Sequence, residues 1–217
     1  MNSTETNRGT KLFRCNTVFM NSTALPQVKL PSVTVAIPAW NEAAYIEKTI
    51  RCFLSTNYPR LVEIIIADGG STDGTQKIIK KLSVEDPRVK LLNNPLKIQS
   101  VGLNLILEHA TAEVLLRADA HSEYAADYVE RCIEALLESQ ALNVGGAQRF
   151  VAKTPFQSGV ALAVRSRLGS GSAKYRDPEY NGYAETVYLG CFWRSILLQL
   201  AGYDTKLIIN EDADLNL

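Results

Sequence analysis

Apolar residues follow two alternating rhythms along this chain. Continuous runs of strand length, SVTVAIP (32–38), LVEIIIA (61–67), RVKLLNN (88–94) and EVLLRA (113–118), read as buried β-strands. Between them, apolar positions recur every three or four residues, as helices require. In NEAAYIEKTIRCFLS (41–55), Ile46, Ile50, Phe53 and Leu54 share one face, with Asn41 as candidate cap and Pro59 beyond the end. STDGTQKIIKKL (71–82) opens on a cap-rich turn and turns Ile78, Ile79 and Leu82 inward; QSVGLNLILEHA (99–110) does so with Leu103, Ile106 and Leu107. AADYVERCIEALLES (125–139) carries the stripe Val129, Ile133, Leu136 and Leu137, and ALNVGGAQR (141–149) reads as a further strand.

After residue 150 the pattern loosens. PFQSGVALAVRSRL (155–168) has helical character, and GSGSAKYRDPEYNGYAET (169–186) reads as a long loop. The remainder predicts a strand, a helix of about two turns ending at Gly202, and an acidic finish. Residues 1–31 are rich in Asn, Ser and Thr and are expected to form an extension of low order. Strands alternating with helices predict an α/β fold with a mostly parallel central sheet and helices on both faces.

Composition narrows the classes. The chain has 217 residues, enough for a sizeable core without a disulfide or metal staple. Lys plus Arg and Asp plus Glu are equal at 23 each, so no bulk attraction to nucleic acid or anionic lipid is expected. Cys15, Cys52, Cys132 and Cys191 are scattered, form no C-x-x-C, and point to a reducing, cytoplasmic setting. No run approaches the ~18 apolar residues of a membrane span. Peripheral association with the cytoplasmic face of a membrane is compatible with this composition.

Open α/β sheets bind ligands beyond the carboxyl ends of their strands. Pro38–Glu42, Asp68–Asp73 and Asp119–His121 all follow predicted strands, so they are expected to crowd one sheet edge. Asp119 and His121 alternate on an extended segment and can point one way, a donor pair suited to Mn²⁺ or a similar ion. The alternative is that Asp119 caps the next helix and His121 lies idle on the surface. Asp68 sits in turn chemistry, D-G-G-S-T-D-G-T, and could either brace that turn or accept from a nucleobase or ribose. Glu211, Asp212 and Asp214 could equally be a solvated helix start. Neither G-x-G-x-x-G nor a P-loop occurs.

Taken together and in order, VAIPAWNE, ADGGSTDGT, RADAHS, VGG, GCFWRSIL and NEDADL resemble the family 2 glycosyltransferases of GT-A fold. Several of these segments resemble most the ExoA-type branch of bacterial succinoglycan synthesis. The resemblance covers residue 33 onward. It implies an inverting transfer from a nucleotide sugar, UDP-linked, to a hydroxyl of a saccharide or lipid-linked acceptor, with Mn²⁺ or Mg²⁺ as cofactor. It also implies roles by position. Pro38, Ala39, Asn41, Glu42, Asp68, Lys97, Asn104 and Asp119 would contact the nucleotide. Asp119 and His121 would hold the metal, Gly145, Gly146 and Glu211 would flank the acceptor, and Asp212 would be the catalytic base.

Three features depart from the family pattern. His121 replaces the usual second Asp, Asp68 stands without an adjacent aspartate, and the sequence ends at Leu217 where members continue. The expectation is a GT-A domain over 32–217 lacking the C-terminal acceptor-side or membrane segment. The rival readings are a non-catalytic nucleotide-sugar-binding remnant and a sugar nucleotidyltransferase. The latter's basic loop after the first strand is missing, since no Lys or Arg precedes Lys48 in PAWNEAAY and its sequel.

Overall fold

The computed structural model describes residues 29–149, 151–152, 154–166, 173–177, 179–184, 186–207 and 215. The predicted extension over 1–31 falls almost wholly outside them, as do Glu211, Asp212 and Asp214.

Strand β1 (Val33–Ala39) is central. It pairs in parallel with β2 (Leu61–Asp68) on one side and β4 (Val114–Arg117) on the other, and β2 pairs in parallel with β3 (Val89–Asn93). Strand β6 (Cys191–Trp193) then runs antiparallel to β4, and the two-residue β5 (Asn143–Val144) closes the edge, giving the order β3-β2-β1-β4-β6-β5. The sheet is mostly parallel, as the alternation of runs predicts.

Side-chain alternation along the strands builds two cores. Val33, Val35 and Ile37 of β1 join Ile64 and Ile66 of β2 on one face, under α1 (Ile46–Leu54), α2 (Thr75–Glu85) and α4 (Tyr128–Ser139). Ala36, Ile65, Ala67 and Leu115 point to the other face, against α3 (Gln99–His109) and α6 (Arg194–Gln199). Ile64, Ile65 and Ile66 are all fully buried. A strand covered on both faces has no reason to alternate in polarity, so EIIIA reads as an unbroken apolar run.

Several boundaries differ from the sequence expectation. Strand β1 continues through Pro38 to Ala39. Its pairing with β4 ends at Ala36, and by alternation the Pro38 nitrogen faces that side, so its missing N–H leaves no ladder bond unmade. Helix α1 starts at Ile46, and Asn41 is not its cap: it adopts a left-handed φ of 56°. Asp119 caps no helix either, since α4 begins at Tyr128. The expected strand over 141–149 shrinks to β5, and just beyond it the backbone at Gly145 packs so closely that an added Cβ would lie 2.8 Å from the Tyr188 carbonyl oxygen. Gly145 and Gly146 therefore lie beyond the strand, in irregular chain.

Helix α5 (Pro155–Arg165) forms as predicted, with Thr154 Oγ1 accepting from the Gln157 N–H at 3.2 Å and Pro155 at the first position. Phe156 and Leu162 on it are exposed. Helix α6 stops at Gln199, and Gly202, with φ of 76°, donates its N–H to Leu197 at 2.8 Å. Among the described residues, no helix is long and apolar enough to cross a membrane.

Candidate active site

The carboxyl ends of β1, β2 and β4 deliver their sequels to one cleft of about 260 Å³. Pro38, Ala39, Trp40 and Glu42 follow β1. Ala67 and Gly69 flank Asp68 at the end of β2, and Asp119, Ala120 and His121 follow β4. Asn94, Lys97 and Gln99 complete the lining from beyond β3. The strand-end rule thus places the predicted segments together.

The turns after β1 and β2 interlock through hydrogen bonds. Asn41 N–H donates to Ser71 Oγ at 2.8 Å, Glu42 N–H to Thr75 Oγ1 at 2.8 Å and Ala43 N–H to Asp73 Oδ2 at 3.0 Å. In return Thr72 N–H donates to Asn41 Oδ1 at 2.9 Å. The cap-type side chains of STDGT therefore serve a neighbouring loop as well as their own helix. Donation from the Thr75 hydroxyl and the Ala43 N–H holds the Asp73 carboxyl below its ordinary range.

Asp68 is almost fully buried. Its Oδ2 accepts from Gly70 N–H and Ser71 N–H, both at 2.9 Å, and from Gln76 Nε2 at 2.6 Å. It braces the turn, one of the two readings its setting allows. Its Oδ1 is buried without a partner among the described residues, as is Asn94 Oδ1. Asn94 lines the cleft; Asp68 itself does not, though its neighbours Ala67 and Gly69 do.

Asp119 is held from three directions. Its N–H donates to Tyr124 Oη at 2.6 Å, its Oδ2 accepts from Tyr188 Oη at 3.0 Å, and its Oδ1 lies 4.0 Å from Arg117 Nη2. Burial, and then the nearby Asp119 charge, push the Tyr188 hydroxyl above its ordinary value, so it remains a donor. The same two causes raise Tyr124. His121 does not touch Asp119; its Nδ1 meets Glu42 Oε1 at 2.9 Å. The two side chains nevertheless line the same cleft.

One carboxylate and one imidazole on a shared wall fit an open site for a borderline divalent ion. Among the described residues, no group of three or more His, Cys, Asp or Glu side chains forms a closed shell. The remaining ligands would come from water and from a diphosphate. Ala120 and His121 also line a second cavity of about 810 Å³, floored by Tyr45, Tyr124, Tyr128 and Tyr188 and edged by Lys48 and Arg149. Gly146 lies in its wall, while Gly145 does not.

Not every predicted residue reaches the cleft. Asn104 on α3 is absent from its lining, and both ends of its amide bind the Tyr203 backbone. Asn41 shapes the cleft through its interlocking bonds rather than lining it. Lys97 does line it, at a left-handed φ of 59°, with its side chain over Gly70. Trp40, Asn94 and Tyr188 were not singled out from sequence. Asn94 directly follows β3 and obeys the same strand-end rule; Tyr188 precedes an antiparallel strand, which that rule does not cover.

With this geometry in view, comparison with known proteins is decisive. The model of glycosyl transferase family 2 matches residues 34–201. The chain belongs to this family. Among family 2 relatives, it is 38% identical over 187 residues to the succinoglycan biosynthesis protein ExoA of Rhizobium meliloti, covering 85% of this chain and 57% of that protein. It is 25% identical over 194 residues to a Methanococcus voltae dolichyl N-acetyl-α-D-glucosaminyl phosphate 3-β-D-2,3-diacetamido-2,3-dideoxy-β-D-glucuronosyltransferase, covering 85% of this chain and 60% of that protein. The family 2 domain described here thus spans little more than half of these relatives.

Solved structures agree on the fold. The mannosyltransferase PcManGT of Pyrobaculum calidifontis, in complex with GDP-Man and Mn²⁺, superposes with a TM-score of 0.63 at 24% identity, over 87% of this chain and 51% of that one. TarS 1–349 of S. aureus with UDP gives 0.67 at 16% identity, over 85% and 54%. The family 2 chain has the GT-A fold that the sequence resemblance implies.

Proposed function

We propose that this family 2 domain binds a nucleoside-diphosphate sugar at the strand-end cleft and transfers the sugar, with inversion, to a hydroxyl of a saccharide or lipid-linked acceptor in polysaccharide synthesis. The observation that carries this reading is the meeting of Asp119 and His121 with the β1 and β2 turns in one cleft beside a larger, tyrosine-lined cavity. The first cavity suits the nucleotide. For Asp68 the family resemblance implies the uracil side of the nucleotide, and exposed Trp40 in the cleft offers an aromatic face for the base. The second cavity suits saccharide, since aromatic rings pack against sugar C–H surfaces while their hydroxyls hydrogen-bond.

Asp119 and His121 would hold a divalent cation, Mn²⁺ or Mg²⁺, which when bound neutralises the charge growing on the leaving diphosphate. Lys97, on the rim, adds a fixed positive charge for the same phosphates. In the transfer, the acceptor oxygen forms a bond to the anomeric carbon as that carbon's bond to the diphosphate oxygen breaks. The bonding pair leaves with the nucleoside diphosphate. The acceptor proton passes to a carboxylate on the opposite face, the role the family resemblance gives to Asp212, with Glu211 beside it. Gly146 lets the chain come close to the acceptor cavity without a side chain.

A thermal-shift series with nucleoside diphosphates, with and without Mn²⁺, tests the reading. Stabilisation by UDP that depends on Mn²⁺ and disappears in Asp119→Asn is the expected result. A flat response to all nucleotides rejects it. Binding without hydrolysis or transfer of any nucleotide sugar, and without effect of Asp212→Asn, supports the non-catalytic reading of this domain instead.

A further inference from the structure

An imidazole ligand at position 121 has a need that a carboxylate would not have. A carboxylate offers four lone-pair directions, so it ligates in almost any orientation. An imidazole ligates through one unprotonated nitrogen, and the other nitrogen must then carry the proton. An exposed ring must also be kept from rotating. The His121 side chain is 60% exposed and so gains little orientation from packing.

We propose that Glu42 is the positioning residue that makes His121 a competent ligand, fixing its ring with Nδ1 protonated and Nε2 free to bind a divalent cation. The Glu42 carboxylate accepts from His121 Nδ1 at 2.9 Å. Glu42 is itself well anchored. Its N–H donates to Thr75 Oγ1 at 2.8 Å, and Thr75, fully buried, donates that hydroxyl to Asp73 Oδ1 at 2.6 Å. Its carbonyl accepts from Tyr45 and Ile46 at the start of α1. A chain of bonds thus runs from the β2 turn, through the β1 turn, to the ring that follows β4. Carboxylate partners of this kind orient metal-ligating histidines and raise their basicity, and removing them typically weakens metal binding by about 10–100-fold. Glu42 therefore acts on the cation through His121.

The inference rests on the reading that Asp119 and His121 hold the donor's cation. Mn²⁺ binding in the presence of UDP, read by electron paramagnetic resonance of free Mn²⁺, tests it on the full chain. Glu42→Gln keeps the reach and an accepting oxygen, and should stay within about threefold of the parent. Glu42→Asp keeps the charge but loses the reach, and Glu42→Ala loses both; each should weaken Mn²⁺ binding about tenfold or more, with melting temperature unchanged. In a His121→Asp background the same Glu42→Ala change should have a clearly smaller effect, because a carboxylate ligand needs no partner to fix its orientation. Nitrogen-15 spectra give a second readout. The chain has two histidines, so His109→Gln leaves His121 alone, and it should show the Nδ1–H tautomer with the parent Glu42 and a mixture with Ala.

Equal losses in Gln and Ala would mean an ion pair rather than an oriented ring, and would overturn the proposal. So would an Ala effect that persists undiminished in the His121→Asp background. If His121→Ala itself leaves Mn²⁺ binding intact, the cation site has been misplaced and the proposal falls with it; that result is distinct from a silent Glu42 beside a working His121.

Discussion

Asn104 grips Tyr203 with both ends of its amide: Nδ2 donates to the Tyr203 carbonyl at 2.8 Å, and Oδ1 accepts the Tyr203 N–H at 2.8 Å. This ties α3 to the turn after α6. The family resemblance gives Asn104 to the nucleotide; the geometry gives it to the scaffold. Asn104→Ala should lower unfolding free energy by about 1–3 kcal/mol in urea denaturation, since it strands two partly buried backbone groups. UDP affinity of the folded variant should not change. A selective loss of nucleotide binding at full stability would return Asn104 to the site.

Asp119 is expected to be indispensable where Tyr188 is supportive. Asp119→Asn should reduce transfer roughly 100-fold or more, as removal of a principal electrostatic group does. Tyr188→Phe removes the 3.0 Å bond to Oδ2 and the 3.3 Å contact with Ser122 Oγ, and should cost roughly 10-fold or less. Steady-state rates of the two variants, with circular dichroism confirming the fold, check the order.

Turn bracing by Asp68 predicts a structural cost separate from any nucleotide role. Asp68→Asn must turn an NH₂ toward one side of a carboxyl whose Oδ2 accepts three bonds. The expected loss is about 1–3 kcal/mol in chemical denaturation. A variant of parental stability would show that the turn holds without it.

Acid should weaken the sheet through Glu63. Burial alone would raise this carboxyl, but Lys90, the Thr111 N–H and the Thr34 hydroxyl outweigh it and hold it below its ordinary value of 4.5. A folded-state value below the unfolded one contributes stability above pH 4.5, and that contribution is lost as pH falls through the folded value. Glu63→Gln should cost about 2 kcal/mol at neutral pH. The gap to the parent in urea midpoint should narrow below pH 4.5. A gap constant with pH would show that packing, not charge, sets the cost.

Gly190 must remain without a side chain. Its φ is 78°, and an added Cβ would lie 2.3 Å from the Phe192 ring. Gly190→Ala should destabilise by about 1–3 kcal/mol and, by shifting Tyr188 two residues away, also impair Mn²⁺-dependent nucleotide binding. Thermal melts with and without UDP and Mn²⁺ separate the two effects.

The parallel half of the fold was legible because its strands are buried on both faces. Runs such as EIIIA and EVLLRA then declare themselves, and the strand-end rule locates the cleft from them. A pattern of cap residues does not say which loop they serve, so Asn41 reads as a cap in sequence while in the structure Ser71, Asp73 and Thr75 reach across to 41–43. The pairing of His121 with Glu42 spans 79 positions and has no local signature. Nor does Tyr188, whose approach to Asp119 depends on an antiparallel strand of three residues.

That short strand has an outsized consequence. Cys191, Phe192 and Trp193 pair with Leu116, Leu115 and Val114, and the register is held at its ends by Arg117 N–H on the Gly190 carbonyl and Arg194 N–H on the Glu113 carbonyl. A slip by one position would exchange Cys191 and Phe192 between the two cores and carry the tyrosine ahead of them about 3.4 Å off its carboxylate. Molecules caught in that state would pass bulk tests of secondary structure while failing at the donor cleft. In a preparation of this chain, the active fraction is thus a sharper measure of correct folding than the spectrum.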